Sequence, residues 1–259
     1  SIDSMMRIDA EDLKAKLTPN VRILLYINYW GFPLDIPITT EDLTRYKSIV
    51  LEDNTHSLLS TSNNITTGHI RFASYRKLLP VIDGAEVSWD DDINKHLRPI
   101  QLRKSISHKA SICTRTAAII IKSIWIYSHG LYPKNIFRSL FSLSEKLLDQ
   151  YPKPSEISNM SFNIYASLEL DAITAIRRSN FLTLQAAITD IGQIRPLYDH
   201  LPDNTCPMGF PIIANKRDNL KNHLINRHIY PPIHLIIPNQ IDSDRFPESW
   251  KVSNNILTL

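Results

Sequence analysis

The feature that most constrains the fold is a near-continuous apolar run, RILLYINYW, from Arg22 to Trp30. Runs of this kind suit a strand that is buried on both faces, as in a parallel sheet covered by helices. Gly31, Pro33 and Pro37 then interrupt the chain and end the strand. The run therefore predicts an α/β architecture.

A helix and a second strand follow at the spacing of a βαβ unit. Thr39 and Thr40 offer an N-cap, and the helix is predicted to end near Lys47. The apolar residues Ser48 to Leu51 form the second strand, which leads into Asp53. Ligands bind at the carboxyl ends of such strands, so Asp53 stands where chemistry is expected.

The remaining pattern divides the chain near residue 105. Residues 1–105 are predicted to be α/β, with residues 106–259 forming a long linking helix and a small α+β domain. The helices predicted after the boundary are Ala110–Ser128, Asn135–Gln150, Leu168–Ile188 and Arg217–Arg227. The strands predicted outside the βαβ unit are His69–Ala73, Gly209–Ala214 and Tyr230–Ile237.

Composition excludes several classes of protein. The net charge of +3 comes from scattered residues, so we expect neither a nucleic-acid surface nor a membrane surface. The most apolar stretch, Ala117 to Tyr127, is too short to span a bilayer. The two cysteines, Cys113 and Cys206, fit a reducing compartment, which predicts a cytoplasmic protein, and Cys113 is expected in the core.

Asp53, His56, Ser74 and Lys77 form the candidate site. A lysine amine can form a Schiff base with an aldehyde cofactor, and a carboxylate can keep a pyridine nitrogen protonated. These are the residue types that pyridoxal phosphate (PLP) chemistry needs. Each is common in any α/β protein, however, and spacing alone leaves an ordinary structural role as the stronger alternative.

Other clusters favour structural roles. His223, His228 and His234 match no standard zinc spacing, so no metal site is predicted. The acidic run at residues 90–92 is typical of a solvated loop. Arg178, beside a second arginine on a helix, is expected in a surface ion pair.

Several motifs, in order, resemble the DegT/DnrJ/StrS aminotransferases. The family segment "ihviEDaaHalg" is matched by SIVLEDNTHSLLS, and "f.S..K.l...dGg" by RFASYRKLLPVIDGA. Later, ITAIRRSNFLTLQAAI resembles the "rR.nY..L" helix, and CPMGFPIIANKRDNLKNHLINRHIYPPIHL resembles the "p..fpi.v..rd.l...L...gI...vhw" segment. The chain ends on FPESWKVSNNILTL, which is similar to "fp.se.ls..iltLP".

This resemblance implies a PLP-dependent transferase of fold type I. In it, Lys77 would bind the cofactor covalently, Asp53 would pair with the pyridine nitrogen, His56 would lie against the cofactor and Ser74 would contact the phosphate. The implied reaction moves an amino group from an amino acid, such as glutamate, to a keto-sugar in amino-sugar or polysaccharide biosynthesis. The family also implies a homodimer.

Two departures from the family pattern keep alternatives open. The N-terminal half of the family's large domain has no counterpart, and neither has its "G.NyR...lqAA" segment. A non-catalytic or truncated relative with a binding or regulatory role is therefore an alternative. A PLP-dependent dehydratase is another, although dehydratases of the family replace the lysine with histidine and Lys77 is present.

Overall fold

The computed structural model describes residues 1–46, 48–61, 68–95, 102, 105–128, 130–131, 133–150, 154–188 and 192–259. The chain forms two compact units, each assembled from segments that are not consecutive. The first comprises Ser1–Ala73, Val87–Asp90 and Glu169–Leu259, and the second comprises Ser74–Glu86 and Asp91–Leu168. The division into domains at residue 105 stays a prediction.

The first part of the chain combines helices and strands, as predicted. The helices are α1 (Ala10–Lys16), α2 (Thr40–Tyr46), α3 (Asp91–Asn94), α4 (Ile106–Tyr127), α5 (Asn135–Asp149), α6 (Asn159–Ala166), α7 (Leu170–Ala187), α8 (Arg217–Asn226) and α9 (Pro247–Asn255). The strands are β1 (Ile23–Ile27), β2 (Ile49–Asp53), β3 (Ile70–Ser74), β4 (Ala85–Trp89), β5 (Ile194–Pro196), β6 (Pro211–Ala214) and β7 (Ile256–Thr258).

The predicted βαβ unit is present. β1 pairs with β2 in parallel, with Ile27 opposite Asp53, and α2 connects the two strands. β3 then pairs with β2 in parallel, within a sheet of order β1-β2-β3-β4. α2 begins with a capping box, because Thr39 Oγ1 accepts from the backbone N–H of Asp42 at 3.2 Å and Thr39 N–H donates to the Asp42 carboxylate at 3.1 Å.

The expectation that β1 is buried on both faces is wrong. One face packs into a small core, in which Tyr26 and Val50 are buried against residues of α2 and the preceding loop. On the other face Ile23 is 57% exposed, Leu25 54% and Ile49 37%. Strand side chains alternate between faces, so the run supplies apolar residues to both faces although only one is covered.

The C-terminal part of the first unit has a second sheet, of order β5-β6-β7, with antiparallel pairing. Its core includes the fully buried Trp30, whose indole N–H donates to Thr258 Oγ1 at 2.9 Å. The predicted strand Tyr230–Ile237 is not a strand, because prolines 231 and 232 lack the N–H groups of a ladder. The carbonyl of Pro232 instead accepts from the Thr258 N–H at 3.1 Å.

The second unit is mainly helical. α4 starts earlier than predicted because Ser105 caps it, its Oγ accepting from the N–H of His108 at 3.1 Å. α4 packs against α5 closely enough for Ser111 Oγ to donate to the carbonyl of Ser144 at 2.9 Å. Cys113 is exposed on α4, so its predicted place in the core is wrong.

Candidate functional site

Asp53 ends β2, at the predicted carboxyl edge of the parallel sheet. Its Oδ1 accepts from the backbone N–H of Thr55 at 2.9 Å, which forms a tight turn after the strand. The next residue, Asn54, donates its N–H to the carbonyl of Phe72 in β3 at 2.8 Å. Within the described part of the chain, Oδ2 of Asp53 has no hydrogen-bond partner, so it can accept from a ligand.

A buried polar network lies on the opposite face of β2. Glu52, 2% exposed, accepts from the side-chain amide of Asn28 at 2.9 Å and from the N–H of Gly68 at 3.0 Å. Burial, and then the charge of Glu52 and a hydrogen bond to it, raise the pKa of Tyr26 above its ordinary value. The sequence interpretation missed this network, and its only signal was polar residues directly after the apolar runs.

His56 is 9% exposed and lies between two aromatic rings of the same unit. The edge of its imidazole meets Tyr29, with 5.7 Å between ring centroids, and His234, with 5.2 Å. Burial, and then the charge of Asp53, raise the pKa of Tyr29. Tyr29, Asp53 and His56 are thus grouped at the ends of β1 and β2, and His234 joins them from a distant part of the sequence.

Ser74 and Lys77 belong to the second unit. Ser74 ends β3 and precedes a 3₁₀ turn, Tyr75–Lys77, and Lys77 is exposed at the end of that turn. Among the described residues, neither Ser74 Oγ nor Lys77 Nζ forms a hydrogen bond or ion pair. A hydroxyl and an amine three residues apart are therefore available to a ligand.

The turn that carries Lys77 is held firmly on both sides. Tyr75 stacks on Tyr165 with ring centroids 5.0 Å apart, and its backbone N–H donates to the carbonyl of Gly84 at 3.1 Å. Gly84 has φ +113°, and a Cβ there would lie 2.6 Å from the side chain of Ile157, so only glycine fits. Arg76 forms an ion pair with Glu145 at 2.9 Å.

Asp83, in the predicted Asp83-Gly84 turn, anchors the same segment. It is 7% exposed and accepts from the N–H and hydroxyl of Ser158, at 2.9 and 2.6 Å. His108 Nε2 lies 3.2 Å from Asp83 Oδ2, the oxygen that also accepts from the Ser158 N–H. Asp83 thus joins the lysine-bearing segment to the starts of α4 and α6, a structural role that also accounts for the aspartate in the sequence pattern.

The structure thus brings Asp53 and His56 together in one unit and keeps Ser74 and Lys77 three residues apart in the other. Their assignment to a cofactor stays a prediction. Arg178 forms the expected surface ion pair, with Asp203 at 3.7 Å, and also donates to the backbone carbonyls of Pro202 and Thr205, at 2.6 and 2.7 Å. Its guanidinium therefore holds a loop in place.

Within the described residues, no group of three or more His, Cys, Asp or Glu side chains could hold a metal ion. No helix in the same residues is long and apolar enough to cross a membrane.

Comparison with known proteins gives a clear result at the level of structure only. No protein-family model matches the sequence, and a search of curated proteins finds no significant match. A DegT DnrJ EryC1 StrS aminotransferase from Brucella abortus matches with a TM-score of 0.62 and 14% identity. The match covers 100% of this chain and 66% of that one.

Two other solved structures match with similar identity and coverage. The sugar aminotransferase CalS13 from Micromonospora echinospora matches with a TM-score of 0.64 and 15% identity, over 100% of this chain and 67% of that one. GDP-4-keto-6-deoxy-D-mannose-3-dehydratase from E. coli, with bound hydrated PLP, matches with a TM-score of 0.55 and 15% identity, over 100% and 68%. The chain thus spans about two thirds of the length of these proteins, and the predicted aminotransferase fold is confirmed.

Proposed function

We propose that this chain is a divergent member of the DegT/DnrJ/StrS family that binds PLP and transfers an amino group from an amino acid to a keto-sugar. The observation that carries the proposal is Asp53. It ends a parallel strand, one carboxylate oxygen is fixed by the turn, and the other accepts no hydrogen bond within the described residues. A pyridine nitrogen that must stay protonated needs such an acceptor.

The other residues of the site fit the same cofactor. His56 presents a buried ring next to Asp53, Ser74 offers a hydroxyl for a phosphate oxygen, and Lys77 offers an exposed amine. When bound, PLP withdraws electrons from the substrate carbon that loses its proton. In the proposed reaction Lys77 Nζ would take up that proton as a general base and return it, as a general acid, to the carbon that the cofactor contributes.

Dehydration of a keto-sugar is the second candidate. The match to the E. coli dehydratase favours it, since that fold neighbour is as similar in sequence as the aminotransferases are. The sequence pattern favours transamination, because Lys77 stands where the dehydratases of the family carry histidine. A non-catalytic binding role is the third candidate, because the family's "G.NyR...lqAA" segment has no counterpart in the sequence.

The family resemblance extends the proposal to partners and location. We propose a cytoplasmic homodimer that uses glutamate as the amino donor. The proposal includes no metal ion and no nucleic-acid partner.

The first experiment measures PLP binding by visible absorbance, with and without borohydride. We expect the wild-type protein to develop a PLP-dependent band, and reduction to fix PLP covalently on the peptide that contains Lys77. Lys77→Ala should abolish the covalent product, whereas Lys146→Ala, at an exposed lysine on α5, should leave it unchanged. A folded wild-type protein that shows no PLP-dependent band would overturn the proposed cofactor.

A second measurement separates the candidate reactions. The PLP-loaded protein is incubated with a panel of nucleotide-linked keto-sugars, with and without glutamate. Formation of 2-oxoglutarate in step with sugar amination supports transamination. Loss of a sugar hydroxyl without amination supports dehydration, and no turnover in a PLP-binding protein supports the binding role.

A further inference from the structure

One buried residue, Asn28, forms hydrogen bonds to Asp53 and to both of its neighbours in the chain. Asn28 follows β1 and is 2% exposed. Its backbone N–H donates to the carbonyl of Asp53 at 3.0 Å. Its side-chain NH₂ donates to Glu52 at 2.9 Å and to Asn54 Oδ1 at 2.7 Å, the two residues that flank Asp53 in the chain.

The other side of the amide holds the incoming loop. Asn28 Oδ1 accepts from the backbone N–H of Leu34 at 2.7 Å. Both hydrogens and the oxygen of the side chain are therefore used, and the ring of contacts fixes the amide orientation. Asn54 Oδ1 also accepts from Ser57 Oγ at 2.9 Å, which extends the network into the turn that carries His56.

These contacts constrain three consecutive residues at the end of β2. Asn28 binds Glu52 and Asn54 through side chains and Asp53 through its backbone, so the strand end cannot rotate without breaking several buried hydrogen bonds. Each buried group left without a partner costs free energy. Since β2 side chains alternate between faces, holding Glu52 in the core keeps Asp53 directed to the opposite face.

Neither aspartate nor leucine, the residues closest to asparagine in size, can replace these contacts. Aspartate has the shape of asparagine but no NH₂ donors, and it would place a second carboxylate beside the buried Glu52. Leucine has similar volume and no polar atoms, so Glu52, Asn54 and Leu34 would each lose a partner.

We propose that Asn28 is a positioning residue that fixes the Asp53 carboxylate where it can pair with the pyridine nitrogen of the cofactor. The part of this inference that concerns the cofactor rests on the proposed function. The part that concerns the fixing of the strand end does not. Asn28 acts through Asp53 and touches neither the cofactor nor the substrate.

The test uses two readouts and three variants of the full chain. Asn28→Asp removes the donors, Asn54→Ala removes one acceptor from the less buried end, and Asn254→Asp is an exposed control with the same charge change as the first. Amide hydrogen exchange at Asn54 and Thr55 is measured without PLP. The dissociation constant for PLP and the pH dependence of the bound-cofactor spectrum are measured by absorbance.

We expect the backbone amides at positions 54 and 55 to exchange faster in both site variants, and both variants to bind PLP more weakly, by on the order of tenfold or more for Asn28→Asp. The spectrum of bound PLP should also change its pH profile, which a loss of stability alone would not produce. In an Asp53→Asn background, Asn28→Asp should add little further loss, because both changes act on the same contact. Asn254→Asp should match the wild type.

The possible failures are distinguishable. If exchange at Asn54 and Thr55 is unchanged in both site variants, the inference is wrong whatever happens to PLP. If exchange increases but PLP binds as tightly as in wild type, Asn28 holds the strand end without positioning Asp53, and the inference is also wrong. If exchange increases and the wild type binds no PLP, the proposed function fails while the fixing of the strand end by Asn28 stands.

Discussion

The two sheets of the first unit are built from similarly apolar sequences, yet they are covered differently. All three residues of β7 and most of β6 are buried, and Ile256 and Leu257 have no exposed surface. In β1, by contrast, Ile23 and Leu25 are more than half exposed. An apolar run therefore indicates a strand without indicating how many of its faces are covered.

The difference also decides which carboxylate is available for chemistry. Glu52 and Asp53 are adjacent, so they point to opposite faces of β2. Glu52 faces the covered side, where its carboxylate oxygens accept buried hydrogen bonds, whereas Asp53 lies on the more open side with Ile49. A shift of one residue in the register of β2 would exchange the two roles.

The largest expected effect lies in the covered sheet. Leu257→Ala should lower the free energy of unfolding by about 3 kcal/mol, because it leaves a cavity in a close-packed core. Urea unfolding monitored by circular dichroism measures the change. A loss below about 1 kcal/mol would mean that the β5-β6-β7 core is less tightly packed than the structure shows, and the contrast between the sheets would disappear.

An intermediate effect is expected at alkaline pH on the covered side of β1. Burial and then Glu52 raise the pKa of Tyr26, so above pH 10 the unfolded chain loses its tyrosine proton first. The contribution of Tyr26 to stability therefore does not vary with pH below pH 10 and falls above it, by at most about 1.4 kcal/mol per pH unit. Tyr26→Phe should be less stable at pH 8, by about 1 kcal/mol for the lost hydrogen bond to Glu52, and should decline less steeply above pH 10.

Tyr198 provides the matching test in the other region, because burial alone raises its pKa. Tyr198→Phe should also reduce the alkaline decline, but with little loss at pH 8. Urea unfolding at a series of pH values measures both variants. Equal losses at pH 8 would show that the hydrogen bond between Tyr26 and Glu52 contributes nothing to stability.

Much of the fold could be predicted because its signals are local. The apolar runs, the break at Gly31 and the capping threonine Thr39 specify the βαβ unit without reference to the rest of the chain. Several short elements were not predicted, among them the helix α6 and the strand β7. The first is short and follows prolines, and the second consists of three residues whose pairing with β6 is set by long-range packing.

The residues of the candidate site also differ in whether the sequence alone indicates them. Asp53 could be found because a carboxylate at the end of a parallel strand is a local pattern, and the order of motifs supported Lys77. Asn28 and His234 could not, because each acquires its role from contacts with residues 24 or more positions away. No periodicity or spacing indicates that His234 meets His56, 178 positions earlier in the chain.

The smallest expected effect lies on the exposed face of the parallel sheet, and it tests the comparison most directly. Leu25→Ser should change the free energy of unfolding of this chain by less than about 0.5 kcal/mol, because more than half of the side chain already contacts solvent. Val50→Ala, on the covered face of the neighbouring strand, is the control and should cost more than 1 kcal/mol.

Urea unfolding at two protein concentrations separates the outcomes. A large, concentration-dependent loss in Leu25→Ser would mean that this face is covered in solution by another copy of the chain, and a large concentration-independent loss that it packs within the chain itself. In either case Asp53 would no longer lie on an open face, and the contrast between the two sheets would have to be abandoned.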